Sequence, residues 1–271
     1  MARQPARTLV AITCRGPAAH QRIVLAVGRV TQPGREAETA LALIDAVHAH
    51  AGPGIQAVVY DGALRGRHHQ HLMRDLGVVP VNKVAAAAAA TDNTTRIARR
   101  LPLGIHTHAT QRRAECRHNI AAVDGALVEI DHDDAGQLVV TDTLSRKQIK
   151  RARRSHGGWH FTIIATVNCP DEPFDIFVSP HPEPTGGNSR PDLIRLIPQA
   201  DPDFARIYGL RNDSETLNSM FKRSLLIDRA TSLGWRRQVL DLLGFGLLNN
   251  ALALHHHQAV SNLPRLTQKA S

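Results

Sequence analysis

RIVLAVGRVTQPGREAETALALIDAVHAHAGPGIQAVVYD, residues 22–61, reads as strand, turn, helix and strand in succession. Arg22–Thr31 alternates β-branched and small residues, as a half-buried strand does. Gln32-Pro33-Gly34 is a turn signal. Glu36–His50 places Ala40, Leu43, Ile44 and Val47 at helical spacing, with acids in the first turn, where the helix dipole favours them. Gln56–Asp61 is a short apolar strand ending in a carboxylate. Upstream, Thr8–Cys14 is a β-rich run joined to Arg22–Thr31 by a Gly-Pro turn, which predicts a hairpin. Downstream, His68–Leu76 predicts a helix and Val78–Val84 a strand. The order β-β-α-β-α-β points to an α/β fold with a mixed sheet.

The alanine run 85–90 is low in complexity and receives no chemistry. Beyond it the pattern changes. Ala126–Asp131 and Gln137–Asp142 flank the turn HDDAG and predict a hairpin. Trp159–Asn168 and Phe174–Ser179 predict two more strands. This is an all-β block inside an α/β chain, with the Pro/Gly/Asn-rich stretch 181–191 at its far boundary. The expected division is 1–101, a β-rich insertion at 102–186, and a helical part at 187–271. Asp203–Asp228 predicts one helix. Trp235–His255 predicts a second, apolar nearly all round and therefore buried, with Gly244 and Gly246 either weakening it or letting another element approach. There is no internal repeat.

The chain has 271 residues, 42% hydrophobic and 21% charged, which suits a folded domain with a substantial core and excludes a disordered one. No run nears 18 apolar residues, so no membrane is expected as a partner. The apolar run Leu9–Ile12 is too short for a signal peptide, and a cytoplasmic setting is expected. Lys+Arg is 33 against Asp+Glu 24, a net charge of +9 and a pI near 10.3. That balance points to a polyanion as partner. Aromatics are only 4%, which argues against a surface built mainly on base stacking. Cys14, Cys116 and Cys169 are far apart and include no CxxC pair, so neither a disulfide framework nor a cysteine zinc site is expected.

Tyr208, Arg211, Glu215 and Lys222 are spaced three, four and seven apart, one stripe of a helix. Leu217, Phe221 and Leu225 form a second, apolar stripe. The first stripe carries a carboxylate flanked by cations. Carboxylates hold hard divalent ions, and Arg and Lys hold phosphate oxygens. The plainer reading is a solvated face of i,i+4 pairs. Asp61 closes an apolar strand, at the end where such sheets bind ligands. It also reads as a plain Asp-Gly turn. A strand-end aspartate and a helix-borne glutamate are what metal-dependent phosphoryl transfer requires. Ser145–Arg154 adds six basic residues in ten, namely Arg146, Lys147, Lys150, Arg151, Arg153 and Arg154. They either track phosphates or form a solvated strand edge or loop.

Tyr208-x2-Arg211-x3-Glu215-x6-Lys222 resembles the Y-R-E-K signature of bacterial insertion-sequence transposases of the DDE class. VVYDGALRG (58–66) looks like the strand carrying that family's second aspartate. The β block is similar to the insertion some members carry before their glutamate. TSLGWRRQVLDLLGFGLLNNALA (231–253) looks like the closing helical region. The resemblance spans roughly residues 8 to 255. It implies a ribonuclease-H-like fold, with Mg²⁺ or Mn²⁺ held by carboxylates and strand cleavage and transfer at the ends of a transposon. By position, Asp61 and Glu215 become the catalytic metal ligands. Arg211 and Lys222 contact DNA phosphate, and Tyr208 supports them. The implied partner is double-stranded DNA on the bacterial nucleoid, with a homodimer left open.

One departure matters. The family's first aspartate lies on the first, inner strand of the fold, yet this chain has no acid before Glu36. The strands at 8–14 and 22–31 look like the second and third. The expectation is a core lacking its first strand, with little or no catalysis by this chain alone. A non-catalytic DNA-binding or partner-binding remnant is the alternative, and a nuclease with another acid in the first position is a third. His68, His69 and His71 follow Asp61, and one of them is a candidate to face the site. His255–His257 end the last helix. Neither group has the spacing of a zinc site. Glu129–Asp134 lacks the spacing of a calcium loop and reads as a hairpin tip. No P-loop, GxGxxG or Gly-x-Ser-x-Gly is present.

Overall fold

Leu9–Arg15 (β1) and Arg22–Arg29 (β2) pair antiparallel, from Leu9 opposite Arg29 to Arg15 opposite Arg22, with a bulge at Ile12/Thr13. This is the hairpin the sequence predicts. A computed structural model describes residues 8–18, 21–84, 97, 100–109, 115–181, 190–226, 232 and 234–261. The alanine run 85–90, residues 182–189 of the Pro/Gly-rich stretch and residues 227–228 of the expected helix lie outside them. The chain is a mixed α/β protein made of two compact units, one of residues 1–52 with 210–271 and the other of 53–209.

In the first unit, Glu36–Ala51 (α1) packs on β2 through Ala40 and Ile44, both fully buried. Leu43 of this helix sits 3.1 Å from where a Cβ on Gly28 would be, so a larger residue on the strand there would press the Leu43 side chain back by a few tenths of an ångström. Arg211–Phe221 (α5) and Trp235–Ser261 (α6) complete the unit. Leu217 and Phe221 of α5 are buried against Phe245 of α6, the two rings meeting edge to face at 5.3 Å.

The Asn-Asn pair of α6 has a specific task. Asn250 accepts from the Val24 amide and donates to the Val24 carbonyl, each at 2.8 Å, and Asn249 donates to the Arg22 carbonyl at 2.8 Å. These side chains satisfy the backbone of β2, whose open edge would otherwise template pairing with another chain. Asn250→Ala is therefore expected to cost about 2 kcal/mol in urea unfolding, because it orphans two backbone groups at once. Unchanged stability would show that water replaces the side chain freely.

The rest of α6 departs from expectation. It is not buried all round: Leu240, Leu243, Leu247, Leu248, Leu252 and Leu254 are exposed, and only Phe245, Gly246 and Ala253 are buried. Gly246 faces Val24 at 3.4 Å, so β2 does approach there, whereas nothing lies near Gly244. A nearly all-apolar helix cannot reveal which side meets the sheet. The asparagines decide it here.

In the second unit, Ala57–Val59 (β3) and Val79–Val81 (β4) pair in parallel. Gly66–Gln70 (α2), prolonged by the π-turn His71–Asp75, connects them. Leu101–His108 (β5), Cys116–Val123 (β6), Ala126–His132 (β7) and Leu138–Thr143 (β8) form an antiparallel four-stranded sheet in sequence order. At the β7–β8 tip, Asp133 accepts from the amides of Ala135 and Gln137, which is turn chemistry as the sequence reads. Ser145–Arg153 (β9), Trp159–Val167 (β10) and Phe174–Val178 (β11) form a three-stranded sheet with β10 in the centre. Two short helices, Arg190–Leu193 (α3) and Pro202–Tyr208 (α4), follow.

Met73, Val81, Ile120, Leu127, Phe161, Ile163, Ile194 and Phe204 belong to one core cluster. The β block thus shares its core with β4 before it and with α3 and α4 after it. This is why the compact unit runs from 53 to 209 and does not follow the expected divisions at 101/102 and 186/187. The single helix expected over 203–228 is two helices and a π-turn at Lys222–Leu226, with a turn at Gly209-Leu210 between α4 and α5. Among the described residues no helix is long and apolar enough to cross a membrane.

Candidate catalytic carboxylates and basic strand

Asp61 lies just past the carboxyl end of β3, exposed, as the sequence expects of a strand-end acid. Its Oδ1 accepts from the Ala63 amide at 3.0 Å, so the Asp-Gly turn also forms. Beneath this turn the buried Asn82, just past β4, donates to the carbonyls of Asp61 at 3.4 Å and Leu64 at 3.1 Å. The two parallel strands therefore end in a loop pinned from below, with one carboxylate turned outward. Of the histidines that follow, His69 is fully buried beside Asp192 at 3.5 Å and Arg195. Burial lowers its pKa, and burial also brings the Arg195 guanidinium down to about 10. His71 pairs with Asp75 at 2.9 Å.

Glu215 belongs to the first unit, on α5, and Asp61 to the second. Glu215 is exposed and paired with Arg211 one turn earlier. Lys222 follows α5 at the start of the π-turn and is also exposed. Tyr208 is the last residue of α4, in the second unit. Its ring stacks on Phe204 at 5.0 Å, under the Lys83 ammonium at 5.5 Å. So the four-residue stripe is split: Arg211, Glu215 and Lys222 share α5 and its extension, and Tyr208 is packing against the core of the other unit.

Asp213 is the acid the sequence reading passed over. Two residues from Glu215, it lies on the opposite side of α5 and is buried. It accepts from Arg15 at 3.0 Å and from Arg22 at 2.7 Å. The exposed Ser214 meets Thr13 of β1 at 3.1 Å. This face docks the helix, and the Glu215 face is left to solvent.

The basic run is the edge strand β9 and its following residue. Arg146 is committed to Asp201 at 2.5 Å and Asp203 at 2.9 Å, which ties the strand to the start of α4. Lys147 pairs with Asp175 at 2.6 Å. Arg151 donates to the Gly77 carbonyl at 2.8 Å and lies over the Trp159 ring. Lys150 lies over the exposed ring of Phe177 at 5.8 Å, Arg153 lies over Trp159 at 6.0 Å, and Arg154 contacts His160. Lys150, Arg153 and Arg154 thus present charge at an open edge and meet no carboxylate among the described residues.

A further group was invisible in the sequence. His108, His118 and Cys169 bring one ligand atom each to within 4.8 Å of one another, as do Cys116, Cys169 and Asp171. No short motif announces it, because the residues come from two paired strands and a distant turn. No family model, curated protein or solved structure matches this chain.

Proposed function

We propose that this chain is a transposase-like core of the DDE class, acting on double-stranded DNA by metal-dependent phosphoryl transfer with Mg²⁺ or Mn²⁺, and that Asp61 of the second unit and Glu215 of the first are each candidates for its metal-binding carboxylates. The observation that carries this reading is the order of pairing. An antiparallel hairpin and a helix come first, and then a parallel strand pair whose first member ends in an exposed aspartate. That is the order expected of a ribonuclease-H-like core whose inner first strand is not among the described elements. The hairpin and the parallel pair belong to separate sheets. Glu215 supports the reading because it is the acid of α5 turned to solvent, while Asp213 is consumed by structure.

In this reading Arg211 holds the Glu215 carboxylate in place and is poised, with Lys222, to neutralise phosphate. The ions would activate an attacking water or 3′-hydroxyl and stabilise the leaving oxygen. Lys150, Arg153 and Arg154 would track the DNA backbone from the edge of β9. Tyr208, Arg146 and Lys147 have structural partners and contribute little to DNA contact. The second reading, a DNA-binding chain without catalysis, is favoured by the same open cationic edge and needs no metal.

Two measurements test these readings. The triple variant Lys150→Glu, Arg153→Glu, Arg154→Glu should weaken binding to a 30-base-pair duplex and flatten the log–log salt slope by roughly 3, about 0.9 per lost phosphate contact. An unchanged slope removes β9 from the interface. For catalysis, the chain alone should not nick a plasmid carrying the DNA that flanks its gene. Joined at its first residue to a designed strand that carries an aspartate, it should nick with Mn²⁺, and Glu215→Gln or Asp61→Asn should reduce the rate at least about 100-fold. Binding without nicking in the joined protein selects the non-catalytic reading, and nicking indifferent to both substitutions overturns the assignment of the two acids.

A further inference from the structure

We propose that His108, His118 and Cys169 bind one divalent transition-metal ion of the zinc class, with Cys116 as the fourth ligand. The site lies wholly in the second unit and is independent of the carboxylates assigned above.

Strand register builds it. His108, the last residue of β5, stands opposite Cys116, the first of β6. His118 is two residues further along β6, on the same buried side as Cys116, since Arg117 between them is exposed. Cys169 and Asp171 come from the turn between β10 and β11. Phe174, which opens β11, walls the group: its ring centroid is 4.2 Å from that of His108 and 5.4 Å from that of His118.

The two imidazoles carry the argument. Nε2 of His108 and Nε2 of His118 are sealed from solvent and, among the described residues, meet no partner with hydrogen-bond geometry. Leaving two polar nitrogens buried and unpaired is costly. Both rings lie against the Cys169 sulfur. His118 has its other nitrogen, Nδ1, fixed on the Glu129 carboxylate at 2.7 Å. Glu129 sits in β7 directly opposite Ile120 of β6, so it reaches His118 from the neighbouring strand. A carboxylate on Nδ1 fixes the tautomer and leaves Nε2 as a lone-pair donor, the usual support of a metal-bound imidazole.

Cys116 donates to Asp171 at 3.5 Å and groups with Asp171 and Cys169, not with the two imidazoles, so it becomes the fourth ligand by turning toward the ion when one binds. Two imidazoles and two sulfurs form a tetrahedral donor set for zinc, and one too soft for Mg²⁺. Binding forms two metal–nitrogen and two metal–sulfur bonds and releases each remaining thiol proton to solvent. The ion would clamp the β5–β6 end of one sheet to the β10–β11 turn of the other.

The test uses the full chain, reduced and stripped with a chelator, then titrated with Co²⁺ and competed with Zn²⁺. One cobalt per chain is expected, with a cobalt–thiolate charge-transfer band that zinc abolishes. Zinc at 100-fold above its Kd should raise the thermal midpoint by roughly 5–10 °C. Cys169→Ser and His118→Asn should abolish the band, and Cys116→Ser should remove about half of it. Glu129→Gln, which keeps every ligand, should weaken affinity about 10- to 100-fold, so the proposal stays open to refutation even if a ligand variant fails to fold. Absence of a thiolate band in the wild type, or full affinity in Glu129→Gln together with an intact band in Cys169→Ser, overturns it.

Discussion

Acidification from pH 7 to pH 4 should cost the wild-type protein about 2 kcal/mol more stability than it costs a His181→Gln variant. His181 is buried, and its Nε2 accepts from the Phe161 amide at 2.9 Å. Its Nδ1 contacts the Gln70 side-chain oxygen at 3.2 Å, which assigns the ring proton to that nitrogen. A second proton would have to enter at Nε2, against a backbone N–H. Burial first, and then the cations His160, Arg154 and Arg74 around it, bring the pKa down from 6.5 to about 4. Above pH 6.5 the ring is neutral whether the chain is folded or not, and it contributes nothing to the pH dependence. Below pH 6.5 the unfolded chain takes up a proton that the folded chain refuses, so stability falls until about pH 4, where the folded ring also protonates. The full shift would be worth about 3 kcal/mol, and solvent screening at the edge of the ring reduces it. Urea unfolding of both proteins at several pH values cancels the carboxylates they share. Parallel curves would show that His181 protonates in place.

Asp213→Ala is expected to destabilise the first unit by about 2–3 kcal/mol. Arg15 and Arg22 stand directly opposite each other in the hairpin, and like charges so placed repel. The Asp213 carboxylate lies between them and accepts from both. Removing it leaves two facing guanidinium groups and an undocked helix start. Both arginines keep some access to water, which holds the cost below that of a fully buried pair. Arg22→Gln in the Asp213→Ala background should recover part of the loss, because one of the two facing charges is gone. Thermal unfolding of the single and double variants measures this directly. Equal destabilisation in both would mean that Asp213 acts only as a helix-start acid.

The two carboxylates of α5 show how far residue spacing reaches. The Arg211–Glu215 pair is legible because both partners lie on one helix four residues apart. Asp213 finds its partners on a hairpin nearly two hundred residues earlier, and no local pattern marks it as the buried acid. The same holds for the basic run. Its charge can be read directly, whereas the sequence leaves strand edge and loop both open and the structure decides for a strand. That Arg146 belongs to Asp201 while Lys150 stays at an open edge depends on what folds beside it. Tyr208 matched a four-residue spacing, yet the chain turns at Gly209-Leu210, immediately after it, and its ring stacks into another core.

By itself the sequence determined the alternation of strands and helices before residue 84, four strands of the β block (β7, β8, β10 and β11), the hairpin tip at Asp133 and the amphipathic face of α5. Each is written in a local period of two or 3.6 residues, or in turn chemistry a few residues long. Only the tertiary structure decided which acid is buried, which side of α6 meets β2, and that His108, His118, Cys116 and Cys169 gather around one point. Those outcomes depend on strand register and on distances between segments far apart in the chain, and local periodicity carries neither.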